Sequence, residues 1–249
     1  MRGYGVLSAL IIGSMTPDIA FLLPIGVSRA ESHSIAGLFW CDLPLGWACY
    51  VVYHLLMKRP MIHLLPAHAY ARLRRFAVND WVHSNRSLLP VLVSGFTGAV
   101  THLIWDSFTH RGSWGVENFA FLRTHLFTGG GFWIYLYVAL QWISSLIGLG
   151  LLAWWGARWV RRTPLPADAD AGDPRRWRWP VFAALAAVTL GAAVGYAWPD
   201  YYPELRISAQ ELLIRLLLGA VSGFGAALFV FCAVWNFYHG WLPRTPDRD

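Results

Sequence analysis

Hydrophobic residues occur along this chain in long runs, which are separated by short polar or basic segments. Each run approaches or exceeds the roughly 20 apolar residues that a membrane-spanning helix requires. The pattern therefore predicts an all-α fold, a polytopic transmembrane helical bundle with about six spans. The predicted spans cover residues 4–27, 35–57, 88–110, 130–159, 180–198 and 207–238.

The first run is interrupted by the polar residues 14–18, which include Pro17 and Asp18. This interruption predicts a broken first helix, and non-helical backbone is tolerated at membrane depth only where it is buried in protein or lines a cavity. We therefore expect Asp18 to point inward. Arg2 before the apolar core and Ser28-Arg29-Ala30, which resembles a small-residue cleavage site, would also suit a signal peptide. Pro17-Asp18 in the middle of the apolar core favours a retained broken helix instead.

The composition is that of a membrane protein. Of the 249 residues, 56% are hydrophobic and 14% are charged, against about 25% charged residues in soluble domains. The net charge of +6 comes almost wholly from arginines in the connections between apolar runs, which indicates membrane topology and no nucleic-acid partner. By the positive-inside rule, the basic segments 58–86 and 160–179 and both termini are expected in the cytoplasm. Residues 67–76 are expected to form a short helix on the bilayer surface.

The predicted organisation has four parts. These are a metal-site helical membrane core at 1–129, a fourth transmembrane span at 130–159, a basic flexible cytoplasmic linker at 160–179, and a two-span scaffold with the tail at 180–249. Glycines in the scaffold suit close contacts between helices. They are Gly191, Gly195, Gly219, Gly223 and Gly225.

Three ionisable side chains, His102, Asp106 and His110, lie at the end of the third run. A spacing of four residues brings them to one face of a helix. A charged group in hydrocarbon costs roughly 2.5 kcal/mol or more unless it faces a partner, a cavity or a metal. A structural hydrogen bond explains a single His/Asp pair, but three such residues in one stripe favour a functional site.

Further ionisable residues are expected in the same layer. With the amino terminus inside, Asp18, His33 and Asp42 all fall near the outer leaflet, at the level of the stripe. Carboxylates and imidazoles suit Zn²⁺ best, with Mn²⁺ or Fe as alternatives. The cysteines lie in apolar runs without CxxC spacing, so no thiolate site is expected. An open position on such a metal activates water for hydrolysis.

Asp42 also has a structural alternative. It precedes Pro44, so its alternative role is to cap a helix kink.

The loop after the third run contains further charged residues. Arg111, Glu117, Arg123 and His125 are candidates for supporting the metal ligands or for binding a substrate anion. Each of them also suits an ordinary surface position, so the sequence leaves both roles open.

Motifs in the first half of the chain resemble those of a bacterial family of multi-pass membrane proteins of unknown function. They are Pro17-Asp18, Ser32-His33-Ser34 followed by Asp42-Leu43-Pro44-Leu45-Gly46, and the HxxxDxxTH sequence from His102 to His110. Their order is also similar to that of inner-membrane metal-dependent hydrolases, and HxxxD resembles a motif of zinc phospholipase C.

The resemblance implies a metal site and a location in the bacterial inner membrane. The implied ligands are Asp18, His33, His102 and Asp106. His110 and Asp42 are further implied members of the site. Members of the family carry an additional histidine just before the first span, and this sequence starts at Met1 without that segment. Either the start lies late or one family ligand is absent.

Site chemistry and resemblance together favour a membrane-embedded metal-dependent hydrolase. Its expected substrate is a lipid or a lipid-linked ester or phosphoester near the outer leaflet. Asp106, His110 and Asp42 are the expected catalytic residues, with Asp42 orienting a ligand histidine, and Arg111 and Arg123 are expected to bind the substrate.

Two other functions stay open. One is a transporter or proton-coupled channel with an intramembrane His/Asp relay, although the last two spans lack the paired broken helix expected of a transporter. The other is a non-enzymatic lipid-binding or assembly protein, in which the polar stripe is a structural network.

Overall fold

The computed structural model describes residues 6–23, 25–77, 88–166, 176–198 and 208–240, and these residues are mainly helical. The helices in chain order are α1 (Leu7–Leu22), α2 (Arg29–Ser32), α3 (Ile35–Leu64), α4 (Ala67–Leu73), α5 (Leu88–Thr109), α6 (Trp114–Asn118), α7 (Leu136–Arg162), α8 (Arg178–Ala197) and α9 (Ala209–His239). Short 3₁₀ turns cover Arg74–Phe76 and Ala120–Arg123.

Five helical segments are long and apolar enough to cross a membrane. They are Ile35–Leu64, Leu88–Asn118, Leu136–Arg162, Arg178–Ala197 and Ala209–His239. Helix α1 is apolar but shorter, with 16 residues. The predicted all-α, multi-pass helical fold is confirmed, and the predicted surface helix at 67–76 corresponds to α4 and the 3₁₀ turn after it.

Helix α1 differs from the prediction, because it is continuous through Pro17. The predicted break at residues 14–18 is therefore wrong. Proline removes one amide donor, but its fixed φ suits a helix. The polar residues of this turn bond within the helix: Ser14 Oγ donates to the Ile11 carbonyl at 2.8 Å and Thr16 Oγ1 donates to the Ile12 carbonyl at 2.9 Å. Their polarity is satisfied locally, so the chain has no need to unwind.

Helix α3 contains two π-helical segments, Leu38–Asp42 and Tyr53–Met57. The amide of Leu43 bonds to the carbonyl of Leu38, five residues back, immediately before Pro44. Single-turn π segments of this kind often occur at functional sites. The irregularity predicted near Pro44 is therefore present, as a widened turn that includes Asp42.

The described residues belong to two compact units. The first comprises Met1–Leu56 and Asn79–Arg123, and the second comprises Met57–Val78 and Thr124–Asp249. All four predicted metal ligands lie in the first unit. Residues 167–175 of the predicted linker lie outside the described residues.

In the first unit, α1 packs closely against α5 through glycines. A Cβ atom at Gly98 would collide with the Leu10 carbonyl oxygen, and one at Gly13 would collide with the carbonyl oxygen of Gly95. Small residues of this kind allow helix backbones to approach closely in a membrane protein. Since Gly98 lies one turn before His102, this contact also brings His102 next to the turn of α1 that precedes Asp18.

In the second unit, α8 and α9 pack through Gly219 and Gly223, where a Cβ atom would collide with Ala192. The predicted small-residue contact is confirmed for these two glycines. It is wrong for Gly191, Gly195 and Gly225, since a Cβ atom at each would have no neighbour within 4 Å among the described residues.

A β-hairpin precedes α7, and the sequence pattern did not predict it. Strand β1 (His125–Gly129) pairs antiparallel with β2 (Phe132–Tyr135). Gly130 and Gly131 connect the strands with φ of 57° and 82°, which are the positive angles that a tight hairpin turn requires. The predicted fourth span at 130–159 consequently begins later, at Leu136.

We expect Gly98→Ala to lower the thermal unfolding midpoint of the detergent-solubilised protein, because the new methyl group forces α1 and α5 apart. Overpacking of this kind costs about 1–3 kcal/mol, which exceeds the gain in helix propensity of about 1 kcal/mol from glycine to alanine. Gly95→Ala is the matched control, since its Cβ would lie 3.7 Å from the Ala9 carbonyl oxygen. Equal midpoints for the two variants would contradict the close contact.

Candidate metal centre

Four side chains of the first unit converge at the ends of the apolar helices. Asp18 lies in the last turns of α1, His33 follows α2, and His102 and Asp106 lie one turn apart near the end of α5. One ligand atom from each of the four lies within 4.8 Å of the others. The structure therefore brings together the four residues that the sequence predicted as metal ligands, from three separate segments of the chain.

Both histidines are oriented by hydrogen bonds from the ring nitrogen that faces away from the cluster. His102 Nδ1 lies 2.7 Å from the Ser14 carbonyl oxygen, and His33 Nδ1 lies 3.1 Å from the Arg29 carbonyl oxygen. A carbonyl only accepts, so each Nδ1 carries the proton. The Nε2 atoms of both rings are buried and make no oriented hydrogen bond among the described residues. Histidines that bind metals typically have this arrangement.

Four contacts across the cluster have lengths near the spacing of ligand atoms around a small ion. His33 Nε2 lies 3.4 Å from Asp18 Oδ1 and 3.3 Å from Asp106 Oδ2, and His102 Nε2 lies 3.8 Å from Asp18 Oδ2 and 3.5 Å from Asp106 Oδ2. Zinc bonds of about 2.0–2.1 Å in a tetrahedron place neighbouring ligand atoms about 3.3–3.4 Å apart.

The cluster requires positive charge, because carboxylate oxygens face the imidazole nitrogens. For His33, which lies outside the spanning helices, burial alone would lower the pKa, but the adjacent Asp106 and Asp18 carboxylates outweigh burial and raise it to about 9. The two carboxylates therefore favour positive charge at this point of the cluster. A metal ion would supply such a charge.

Asp106 Oδ2 is the most contacted atom of the cluster. Besides the two ligand histidines, Arg29 Nη2 lies 2.7 Å from it and His110 Nδ1 lies 3.3 Å from it. His110 is therefore in contact with the cluster through Asp106, as its position in the stripe predicted, although it is not one of the four grouped ligands.

Arg29 is the cluster residue that sequence reasoning missed. Its Nη1 atom also lies 3.5 Å from Asp18 Oδ1. The sequence carried two signals for it. Arg29 lies four residues before His33, on the same side of a helical turn, and it is the first basic residue after the run that contains Asp18.

Asp42 makes no hydrogen bond with either of the two histidines in the described part of the chain, and its expected role in orienting one of them stays a prediction. Both Nδ1 atoms already bond to backbone carbonyls, and the two carboxylate oxygens of Asp42 have no hydrogen-bond partner among the described residues. Asp42 is only 1% exposed. It lines a small cavity together with Gly46, Tyr50 and Gly95.

The charged loop residues make no hydrogen bond or ion pair with the four ligands in the described part of the chain. Arg111 is exposed, and Arg123 donates to Glu117 at 3.1 Å. Their expected substrate binding stays a prediction. His125 lies in the hairpin, where its Nε2 atom is 2.6 Å from Thr128 Oγ1.

We expect Asp42→Asn to leave the thermal unfolding midpoint unchanged or to raise it. An amide has nearly the same shape without the charge, and a buried unpaired carboxylate is costly. An amide that lost a real partner of Asp42 would instead cost about 1–3 kcal/mol. Differential scanning fluorimetry of the solubilised variant measures the difference. A clear fall in the midpoint would show that the carboxylate has a bound partner.

No curated protein and no solved structure matches this chain. A family model described as "Domain of unknown function (DUF4184)" matches residues 1–234. The expected membership of a family of unknown function is thereby confirmed, and the match includes the helices that carry the cluster. The chain therefore belongs to the DUF4184 family.

Proposed function

We propose that this protein is a membrane-embedded, metal-dependent hydrolase. In this proposal it acts on a lipid or lipid-linked ester or phosphoester near the outer leaflet of the bacterial inner membrane, with both termini in the cytoplasm. The convergence of Asp18, His33, His102 and Asp106 carries the proposal, since ligand atoms from three chain segments lie within 4.8 Å of one another.

The donor set fits a divalent metal of borderline character. Two carboxylates and two imidazoles suit Zn²⁺, with Mn²⁺ or Fe as alternatives. The two buried Nε2 atoms without oriented hydrogen bonds support metal binding, because an ion would complete their bonding. Asp18, His33, His102 and Asp106 would hold the ion. When bound, it supplies Lewis acidity towards the ester and lowers the pKa of water.

The surrounding side chains suit the steps of hydrolysis. Asp18 is half exposed, at 50%, whereas the other three ligands are largely covered, so the substrate would approach from the side of Asp18. Asp106 fixes the positions of the histidines around it. His110 is hydrogen-bonded to Asp106 and partly exposed, so it is suited to transfer a proton to the leaving group.

Exposed apolar side chains near the site support a lipid substrate. Ile35 follows His33 closely, Trp105 precedes Asp106, and Trp114 begins α6; each of these apolar side chains is about half exposed or more. Tryptophan is typical of the interface between the bilayer and water. A hydrolytic site bordered in this way would meet a lipid ester at the headgroup level.

Metal analysis of the purified protein tests the binding site. We expect one equivalent of zinc in the wild type, and we expect His102→Ala and Asp106→Asn each to weaken zinc binding by at least the roughly 10- to 100-fold that loss of a supporting contact costs. His68→Ala, which removes an exposed histidine of the second unit, is the matched control. Folded wild type without metal, with variants that lose only stability, would favour a structural polar network instead.

Hydrolysis of a chromogenic ester in mixed micelles tests the chemistry. We expect a chelator to abolish activity and added zinc to restore it. His110→Gln should retain zinc but lose about 10²- to 10⁴-fold in kcat, because a positioned proton donor contributes that much. Unchanged turnover in zinc-loaded His110→Gln would remove His110 from the catalytic step.

A further inference from the structure

Arg29 holds a fixed position beside the candidate metal centre. Helix α2 begins with a capping box, in which the Ser28 side chain accepts from the Glu31 amide and Glu31 Oε2 accepts from the Ser28 amide at 2.8 Å. This reciprocal pair stabilises the start of the turn. The Arg29 side chain extends from that turn to the two carboxylates, while its backbone carbonyl orients His33.

Arg29 adds a positive charge to the two carboxylates of the cluster. Its guanidinium lies 3.5 Å from Asp18 Oδ1 and 2.7 Å from Asp106 Oδ2. With a divalent ion and neutral histidines, the ion alone matches the two carboxylates. Arg29 then remains as one uncompensated positive charge. A bound anion would restore the balance.

The geometry suits an anion that contacts the metal and Arg29 together. Arg29 Nη2 contacts Asp106 Oδ2, and that same oxygen lies 3.3 Å from His33 Nε2 and 3.5 Å from His102 Nε2. A single atom, Asp106 Oδ2, therefore lies between the guanidinium and the two histidine nitrogens that would hold an ion. The Arg29 side chain is 39% exposed, so a bound anion could reach part of it from outside the cluster.

We infer that Arg29 binds an anionic phosphoryl group, and that the hydrolase therefore acts on phosphoesters rather than on carboxyl esters. The inference rests on the proposed function. A guanidinium presents planar, paired donors that match phosphate oxygens bidentately. The carbonyl of a carboxyl ester is neutral, so it would leave the extra positive charge unmatched.

Isothermal titration calorimetry with zinc and then with inorganic phosphate tests the inference on the solubilised full chain. We expect Arg29→Ala to bind zinc at least as tightly as wild type, because a positive charge beside the ion is removed. Phosphate affinity of the zinc-loaded protein should fall about 10- to 100-fold, as for loss of a charged hydrogen bond. Arg29→Lys should retain part of that affinity, since it keeps the charge without the fork. Arg161→Ala is the matched control, an exposed arginine of α7 in the second unit.

Hydrolysis assays separate the substrate classes. We expect zinc-loaded Arg29→Ala to lose far more activity on p-nitrophenyl phosphate than on p-nitrophenyl acetate. Phosphatidate in mixed micelles and soluble glycerol phosphate, compared as inhibitors, distinguish a lipid headgroup from free phosphate. Tighter binding of phosphatidate indicates the lipid, and equal binding indicates that the phosphoryl group alone is recognised.

The outcomes distinguish the two proposals. A wild type that binds no metal would remove both the proposed function and this inference. A wild type that binds zinc, with phosphate affinity that is unchanged in Arg29→Ala, would remove the inference and leave the hydrolase intact. Loss of zinc in Arg29→Ala and Arg29→Lys alike would show that Arg29 only maintains the shape of the cluster.

Discussion

The first unit depends on one electrostatic constraint. Carboxylate oxygens and buried imidazole nitrogens face a common point at the ends of apolar helices. Lone pairs from two carboxylates and two rings repel one another unless positive charge lies among them. Protons, a guanidinium or a metal ion meet this need. The chemistry proposed for the protein follows from which of them is present.

The close packing of α1 against α5 determines where the side chains of the cluster lie. Gly98 allows α5 to approach the Leu10 carbonyl, and one turn later His102 bonds to the carbonyl of Ser14. Asp18 follows Ser14 by another turn. The polar cluster thus continues the glycine contact along the same pair of helices. Helix packing and ligand geometry are therefore parts of a single interface, in which a change at one end is transmitted to the other.

The sequence predicts the cluster better than it predicts the backbone that holds it. Helical periodicity of His102, Asp106 and His110 is a local property, so it could be read directly. The grouping of Asp18 and His33 with this stripe followed from topology and family resemblance. Arg29 was missed because its role depends on a tertiary contact with Asp106, 77 residues away.

The differences between the predicted and the observed structure have separate local causes. Residues 14–18 looked like a helix break, but Ser14 and Thr16 bond to their own helix and the turn stays intact. The hairpin before α7 depends on the positive φ angles of Gly130 and Gly131, which apolar periodicity does not encode. The sequence predicted Asp42 at the same membrane depth as the candidate ligands. Depth along a helix does not determine the direction in which a side chain points.

The short helix α2 contacts the cluster in two ways through one residue, Arg29. The Arg29 carbonyl orients His33, and the Arg29 side chain reaches Asp106, so the turn can move only if both contacts change together. Under the proposed function, an anion at the guanidinium would alter the affinity for an ion at the neighbouring residues, and by thermodynamic reciprocity the ion would alter the affinity for that anion to the same degree. The capped turn at the start of α2 would in this way couple the two ligands.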